Sequence, residues 1–483
     1  MPKFFTTTSG RHKPLLACLA VTLSFTQFPV TADETMLRST TANTAPTSRK
    51  PPTPRDLIVV QLRKGADQEK FNDLVQDLHG TVVQTIQAGP GLQFLIVQTE
   101  PGQAQVVQKK LYKDTDVASV ELNRVIPTHA NPPEYTEHIG NWGKQKQNLT
   151  KFRTGLPKFN HFIHGGKLRF PPPPPVAPPP PPPLVGSPTD PGQIYQWDLA
   201  AVNWLPARDS GAPYQVPLNV YFVDTGSTFI PGEASIWGTQ YNFADPVPTG
   251  AQEGVFDAGY HGTATTTRFC VTDNFTGYAG MGNFESNYTY LVMCRAEPVG
   301  QNGGNYVGIV ASLSFLANTP FAPGPICLSY NYPPPNTFNS NPQIQALAQQ
   351  LRNEGFVVVL PTGNQGQLDN SPEQYIRRVA ATDESGKLAS FSNYGPFPAA
   401  APGNDIGVYT PQAGAGLGWL ASGTSVAAPA WCAAILNVMR VLPPASRNAV
   451  IADQIVLQTA TTNPQGYKIP NMAAAIQAAG SYH

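Results

Sequence analysis

Residues 216–226 read Val-Pro-Leu-Asn-Val-Tyr-Phe-Val-Asp-Thr-Gly, an apolar run that ends in an aspartate and a glycine. A strand that is apolar on both faces is typical of a parallel sheet covered by helices on each side. Functional residues in such sheets gather at the carboxyl ends of the strands. Asp224 stands at that position. The stretch therefore predicts a partly buried carboxylate that requires a polar partner.

Similar apolar runs alternate with helical patterns through the second half of the chain. The periodicity predicts strands and helices in turn, the strands over 288–294, 325–330 and 355–360 and the helices over 306–317 and 343–353. Alternation of this kind indicates an α/β fold built on a doubly wound, mostly parallel sheet.

Two later segments fit Asp224 chemically: His-Gly-Thr at 261–263, and Gly-Thr-Ser-Val-Ala-Ala-Pro at 423–429, which predicts a helix start. A serine hydroxyl is a weak nucleophile, so it needs a neutral imidazole to take its proton and a buried carboxylate to orient that imidazole. Alone, such an aspartate can simply cap a turn, and a lone histidine is more often structural. Together, Asp224, His261 and Ser425 predict a catalytic triad.

An asparagine follows another predicted strand, within Pro-Thr-Gly-Asn-Gln-Gly at 361–366. Acyl transfer requires hydrogen-bond donors for the developing oxyanion. Backbone N–H groups at the helix start beside Ser425 are one source of such donors. By itself, this glycine-rich stretch would be an ordinary turn.

The order aspartate, histidine, serine with these neighbours resembles the subtilase family of serine peptidases. The resemblance covers about residues 190–444 and implies a subtilisin-like fold. It implies the triad roles already given and makes Asn364 the oxyanion-hole amide. Relatives bind substrate as an added strand, and the matching residues here are Ser329, Tyr330, Asn331 and Gly363.

The chain departs from the family pattern at two places. Asn331 and Tyr332 stand where relatives carry glycines, so we expect them to narrow or reshape the primary specificity pocket. A run of threonines follows His261-Gly262, where the family usually has a histidine and small apolar residues. β-branched residues are tolerated but not favoured in helices, which leaves the packing of this helix open.

A smaller pattern precedes the catalytic region. Residues 56–125 alternate as strand, helix, two strands, helix and strand, the order of the split ferredoxin-like α+β unit. The resemblance implies that residues 54–128 are a prosegment, which helps the catalytic domain fold and plugs its cleft, with residues 120–126 as its last strand. An unrelated small α+β module is the alternative.

Three further segments complete the expected organisation. Residues 1–32 have a basic start, a short apolar core and small residues at the end, which is typical of a secretory signal. We therefore expect a secreted protein, extracellular or periplasmic. Residues 129–189 are basic and then proline-rich, which predicts a semi-rigid linker, and residues 190–483 form the expected catalytic domain. No other segment is expected to be long and apolar enough for a membrane span, and no membrane partner is expected.

The composition of the chain argues against some classes of function. Charged residues make up only 13% of the chain, and 51 prolines and 42 glycines favour a loop-rich, exported protein. Residues 1–190 contain 21 basic and 14 acidic residues, whereas residues 191–483 contain 10 and 17. The acidic half holds the predicted chemistry, which argues against nucleic-acid binding. No metal or phosphate motif occurs, so no cofactor is required. The resemblance allows a structural calcium ion near Thr272, Asp273 and Asn274.

Four cysteines follow the expected signal. Cys327 and Cys432 lie in apolar runs, where buried free thiols are common. Disulfides occur in exported chains, and Cys270 with Cys294 is the favoured pair among three connectivities.

The sequence as a whole predicts a secreted serine endopeptidase that hydrolyses peptide bonds through an acyl-enzyme. We expect a zymogen and a monomer, with polypeptides as substrates and its own prosegment as an intramolecular inhibitor. The alternative, from another class, is a catalytically silent binding protein that has kept the scaffold. The departures after His261 and around Asn331 are its only support.

Overall fold

The fold follows from a computed structural model. It describes residues 54–126, 196–210, 218–228, 238–245, 250–253, 257, 261–271, 279–282, 289–298, 303–408 and 419–482. The expected signal (1–32) and linker (129–189) lie outside the described residues, as does the candidate calcium segment 272–274.

An antiparallel four-stranded sheet opens the described chain. Its strands run in the order β2-β3-β1-β4, and they are β1 (Leu57–Leu62), β2 (Thr81–Gln87), β3 (Gln93–Gln98) and β4 (Val117–Leu122). Helix α1 (Gln68–Asp77) links β1 to β2, and α2 (Ala104–Leu111) links β3 to β4. Asp67 caps α1 by accepting from Glu69 N at 3.0 Å. The order of elements agrees with the predicted α+β unit.

The predicted last strand of this unit is interrupted. β4 ends at Leu122, and the chain then forms a short strand, β5 (Val125–Ile126), which pairs antiparallel with β10 (Gly304–Asn305). Between the two strands, Asn123 N still donates to Leu57 O of β1 at 2.9 Å, while its side-chain Oδ1 accepts from Val307 N at 3.0 Å. One continuous strand over 117–125 was thus a wrong prediction, since β4 ends at Leu122 and the chain continues as β5 on the edge of β10.

The larger sheet has ten strands in the described part of the chain. Their order is β17-β18-β14-β13-β12-β11-β6-β9-β7-β8, and every pair from β18 to β7 is parallel. The strands are β6 (Leu218–Asp224), β7 (Gly238–Asn242), β8 (Ala251–Glu253), β9 (Thr289–Arg295), β11 (Pro325–Leu328), β12 (Val357–Pro361), β13 (Ile376–Thr382), β14 (Ala399–Pro402), β17 (Thr461–Thr462) and β18 (Lys468–Ile469). A two-stranded ribbon, β15 (Ile406–Val408) with β16 (Trp419–Ala421), lies outside it.

Helices cover both faces of this sheet. One face packs against α3 (Trp197–Ala201), α4 (Trp204–Arg208), α5 (His261–Cys270), α8 (Thr424–Val441), α9 (Ala449–Thr459) and α10 (Met472–Gly480). The other packs against α6 (Tyr306–Asn318) and α7 (Pro342–Asn353). Val220 and Phe222 of β6 point into the first layer and Tyr221 and Val223 into the second. The doubly wound α/β fold is therefore confirmed, and two-sided burial explains the continuous apolar run.

Helix α8 corrects one expectation about membranes. Among the described residues, Thr424–Val441 is long and apolar enough to cross a bilayer by length and composition, yet 94% of it is buried inside the fold. It runs through the core with small residues, including Ala427, Ala428 and Ala430, against the sheet. Its apolar character is that of a central core helix.

The favoured disulfide does not form. Cys270, Cys294, Cys327 and Cys432 are all free and buried. Cys270 belongs to the cluster on the α8 face of the large sheet, whereas Cys294 belongs to the cluster on the opposite face. The sheet separates the two sulfur atoms, so the pairing of Cys270 with Cys294 was wrong. Cys327 and Cys432 are buried thiols in apolar surroundings, as predicted.

Candidate active site

Three elements bring the predicted triad residues together. Asp224 ends β6, His261 begins α5, and Ser425 is the second residue of α8. His261 Nδ1 lies 2.7 Å from Asp224 Oδ1, and His261 Nε2 lies 2.9 Å from Ser425 Oγ. Because an ionised carboxylate only accepts hydrogen bonds, Nδ1 carries the ring proton. Nε2 is then the acceptor that faces the serine hydroxyl.

The carboxylate of Asp224 is fully buried but well supplied with donors. Thr225 N donates to Oδ1 at 2.7 Å, and Thr265 Oγ1 donates to Oδ2 at 2.9 Å. Burial by itself would raise the pKa of Asp224, but the imidazole of His261 and the hydrogen bonds hold that pKa below its usual value. Asp224 is therefore ionised at neutral pH.

The threonine run on α5 has a specific use that sequence reasoning missed. Thr265 stands four residues after His261, so both side chains lie on one face of the helix and meet Asp224 there. Thr266 Oγ1 donates to Gly262 O at 2.7 Å and lies 2.9 Å from Ser227 Oγ. The hydroxyls thus satisfy buried polar groups around the carboxylate, and the spacing from His261 was the available signal.

Asp257 is a second buried carboxyl group that sequence reasoning missed. It accepts from Thr225 Oγ1 at 2.6 Å and from Thr263 N at 2.7 Å, and the Thr263 hydroxyl also donates to it. Thr225 follows Asp224, and Thr263 lies two residues after His261. Asp257 therefore joins the segment that carries the aspartate to the helix that carries the histidine. No motif marked it.

Gly262 permits the close approach of these two segments. A Cβ atom at this position would lie 1.8 Å from Gly226 O, which no side chain can occupy. Gly262 N also donates to Thr225 Oγ1 at 2.8 Å. The glycine after the histidine is therefore required by backbone packing, because it lets the start of α5 rest on the end of β6.

Asn364 lies beside the start of α8. Its Oδ1 accepts from Thr424 N at 2.9 Å and from Thr424 Oγ1 at 2.8 Å. Because a backbone N–H only donates, the atom that faces it must be the amide oxygen, and Nδ2 is on the other branch of the amide. Gly363 N donates to Thr424 Oγ1 at 3.0 Å. These bonds hold the amide of Asn364 in one orientation next to Ser425.

The four predicted substrate-binding residues lie at the ends of β11 and β12 and differ in their surroundings. Ser329 and Tyr330 are fully buried, with Ser329 N donating to Val223 O at 3.1 Å. Asn331 donates through Nδ2 to Pro361 O at 3.0 Å and so bridges the ends of β11 and β12. Gly363 has a positive φ of 102°, and a Cβ there would come 2.5 Å from Asn393 Nδ2.

The end of the N-terminal unit contacts a short strand close to the site. Ile126 of β5 is fully buried in one cluster with Tyr306 and Tyr330. Tyr306 N donates to Arg124 O at 3.1 Å, which extends the pairing of β5 with β10. Asn305 N in turn donates to Ala296 O at 3.0 Å. The end of the N-terminal unit is thus an added strand on an edge that adjoins the site.

Among the described residues, no three histidine, cysteine, aspartate or glutamate side chains are grouped so as to hold a metal ion. The site described above consists of a serine, an imidazole, two buried carboxyl groups and a fixed amide.

Residues 239–474 match the family model described as the subtilase family. The match includes His261, Asn364 and Ser425, and Asp224 lies 15 residues before its start. The chain is 24% identical over 274 residues to the thermostable alkaline protease of Halalkalibacterium halodurans, and the alignment covers 56% of this chain and 69% of that protein.

Two solved structures share the fold. Proteases from Pseudoalteromonas arctica match with a TM-score of 0.50 and 21% identity, over 60% of this chain and 99% of theirs. Fervidolysin from Fervidobacterium pennivorans, described as a keratinolytic enzyme related to subtilisin, matches with a TM-score of 0.61 and 15% identity. That alignment covers 89% of this chain and 62% of fervidolysin, so this chain spans less than two thirds of its length.

Proposed function

We propose that this chain, of which residues 239–474 match the subtilase family model, is a secreted serine endopeptidase that is made as a zymogen. We assign Asp224, His261 and Ser425 as its catalytic triad. One observation carries the assignment: two short hydrogen bonds connect the Asp224 carboxylate, the His261 ring and the Ser425 hydroxyl.

The proposed reaction has two halves. Ser425 Oγ attacks the peptide carbonyl carbon while His261 Nε2 takes the hydroxyl proton. His261 then gives that proton to the leaving amine, the C–N bond breaks, and an acyl-enzyme remains on Ser425. Water attacks the ester with His261 again as base, and the carboxylic acid product leaves as the proton returns to Ser425. Asp224 keeps Nδ1 protonated and stabilises the imidazolium in each half.

Asn364 is proposed to stabilise the oxyanion. Its carbonyl oxygen is held by Thr424, so its Nδ2 is the side-chain donor next to Ser425. Backbone N–H groups at the start of α8 supply further donors and the positive end of the helix dipole. Donors that are already oriented need no rearrangement as negative charge develops.

The zymogen proposal is supported by the contacts of residues 54–126. Leu57, Val59 and Ile126 share an apolar cluster with α6 and α7. Gln343 Nε2 of α7 donates to Val59 O at 3.0 Å, and β5 occupies the edge of β10. We infer that this unit is a prosegment and an intramolecular inhibitor, because an added strand there competes with a substrate strand.

We propose polypeptide substrates, a monomer and secretion directed by residues 1–32, with residues 129–189 as the linker to a catalytic domain over 190–483. Structural calcium stays a proposal as well. The silent alternative loses one of its two supports, since Thr265 after His261 donates to the proposed catalytic aspartate.

Serine-directed labelling tests the proposal. After prosegment removal, the wild type should form a fluorophosphonate adduct on Ser425 and cleave casein, whereas Ser425→Ala should do neither. Peptide mapping of the adduct locates the modified residue. Ser385→Ala is a matched control, because Ser385 is exposed and its hydroxyl donates only locally to Asp383. A wild-type protein with neither adduct nor cleavage would exclude the peptidase and favour the silent binding protein.

A further inference from the structure

Helix α5 contacts both oxygens of the Asp224 carboxylate, through His261 and through a residue to which the proposed mechanism gives no task. His261 Nδ1 donates to Oδ1 at 2.7 Å, and Thr265 Oγ1 donates to Oδ2 at 2.9 Å. The two side chains are four residues apart and therefore share one face of the helix. Thr265 is fully buried, so bulk water does not compete for its hydroxyl group. A single helix thus fixes the plane of the carboxylate relative to the imidazole ring.

The hydroxyl proton of Thr265 has two acceptors within reach. Besides Oδ2 of Asp224, Oγ1 lies 3.0 Å from Gly262 O, a carbonyl oxygen of the preceding turn. That carbonyl already accepts from Thr266 Oγ1 at 2.7 Å. An ionised carboxylate has no proton to give, and hydrogen bonds to charged acceptors are the stronger ones. Thr265 is therefore the donor and Asp224 the acceptor.

A donor on Oδ2 changes how strongly the His261 ring holds a second proton. An imidazolium ion is stabilised by the negative charge of a neighbouring carboxylate. The Thr265 hydroxyl draws part of that charge toward Oδ2, the oxygen that does not bind the ring. The imidazolium is then stabilised less, and it loses its proton at a lower pH. Because a general base must be neutral to take the serine proton, this bond extends activity toward acidic pH.

Other charged and titratable groups act on the same pair of residues. They come from the elements that pack around the triad: Asp257 before α5, Glu297 after β9, Tyr330 beyond β11, Arg295 paired with Glu253, and Arg268 paired with Asp198. The buried Ser329 also favours the charged form of Asp224. All of these groups are kept when only Thr265 is changed, so a comparison of variants at that position isolates its hydroxyl.

We propose that Thr265 is a positioning residue that sets the acid limit of the peptidase: by holding Oδ2 of Asp224, its hydroxyl keeps the His261 ring neutral at pH values at which the ring would otherwise be protonated. The inference rests on the proposed function. The small apolar residues that the family usually has in this part of the helix contain no such donor. Thr265 acts through Asp224, so its loss should alter the pH dependence of kcat/KM and leave KM nearly unchanged.

The pH dependence of kcat/KM, measured after prosegment removal, tests this role. Its acid limb reports the ionisation of the base in the free enzyme. Thr265→Val keeps the shape of the side chain without the hydroxyl, so the limb should move upward by about half a pH unit, which is a loss of about threefold at acidic pH. Thr265→Ser keeps the hydroxyl and should restore the wild-type limb.

A matched control separates the hydrogen bond from packing. Thr267 is buried on the same helix and donates to Ala264 O at 3.1 Å, so Thr267→Val should leave the limb in place. A side chain that only supports packing would, when changed, lower activity by the same factor at every pH. Thr265→Ala gives the same comparison if valine packs poorly beside the carboxylate. A limb that coincides in the wild type and both hydroxyl-free variants, or a shift that Thr265→Ser does not correct, overturns the role.

An NMR titration of His261 distinguishes failure of this inference from failure of the proposed function. In the full-length chain with Ser425→Ala, the ring C–H signals of His261, assigned by their loss in His261→Gln, report its protonation without catalysis. Adding Thr265→Val should raise the midpoint by about half a pH unit. If this shift appears but the wild type cleaves no peptide, the peptidase proposal fails and the effect of Thr265 on the imidazole stands. If the wild type cleaves peptides but neither limb nor midpoint moves, the role of Thr265 is wrong and the peptidase stands.

Discussion

Asp224 illustrates how a buried charge is maintained at a single residue. Water does not reach its carboxylate, so protein groups must replace hydration. Three donors, from His261, Thr225 and Thr265, bind its two oxygens at 2.7–2.9 Å. Asp257, only a few residues before His261, lacks the imidazole and has a raised pKa instead. The imidazole beside Asp224 thus accounts for the opposite directions of the two pKa shifts.

The amide of Asn364 leads to a prediction for the proposed chemical step. Asn364→Leu removes the side-chain donor for the oxyanion while keeping a similar volume. Loss of one such donor lowers kcat by about 10²–10³-fold, with KM changed little, because the bond strengthens mainly in the transition state. Initial rates on a peptide substrate measure both constants.

A matched control distinguishes the lost donor from a general disturbance of the loop. Gln367→Leu alters a neighbouring side chain that is exposed and should keep most of kcat. If Asn364→Leu retains wild-type kcat, the amide does not contact the oxyanion.

The two residues of β5 differ in exposure. Ile126 is fully buried beside Tyr306 and Tyr330, whereas Val125, on the other face of the same strand, is 47% exposed. This alternation follows from the two-residue period of a strand. The short strand holds the N-terminal unit on the edge of β10 through one side chain and the backbone pairing with Gly304.

A charge introduced in β5 should weaken the proposed inhibition. Ile126→Asp places an unpaired carboxylate in an apolar site, which costs several kcal/mol, so the strand should leave the β10 edge more readily. We expect the full-length chain with this substitution to gain activity on a fluorogenic peptide earlier than the wild type. Val125→Asp changes the exposed face of the same strand and should show the wild-type lag. Equal lags for both variants would argue against inhibition through this strand.

In the molecule as a whole, the large sheet separates two cores. Cys270, Cys327 and Cys432 lie in the core on the α8 side, and Cys294 lies in the other. Burial raises the pKa of Cys270 to about 12 and that of Cys432 well above its usual value. Thiolates, the reactive form, are therefore scarce at neutral pH.

These surroundings predict that the thiols are unreactive in the folded protein. With residues 1–32 removed, iodoacetamide at pH 8 should leave all four cysteines unmodified, and all four should react in guanidinium chloride, as counted by mass spectrometry. Dithiothreitol should leave Tm unchanged, because no cross-link among these residues stabilises the fold. A mass deficit of two hydrogen atoms per bond in the unreduced protein would show that a disulfide exists.

Residue patterns alone were enough for the parallel sheet, for the place of Asp224 at the end of a strand and of Ser425 at the start of a helix, and for the order of the N-terminal α+β unit. Apolar periodicity reflects burial, and burial is a local property of each strand and helix. Contacts between distant segments were decided only by the tertiary structure: Asp257 bound to Thr225, Thr265 bound to Asp224, the break at Asn123, and the separation of Cys270 from Cys294. These features depend on which chains the fold brings within about 3 Å of one another, and no local pattern encodes that distance.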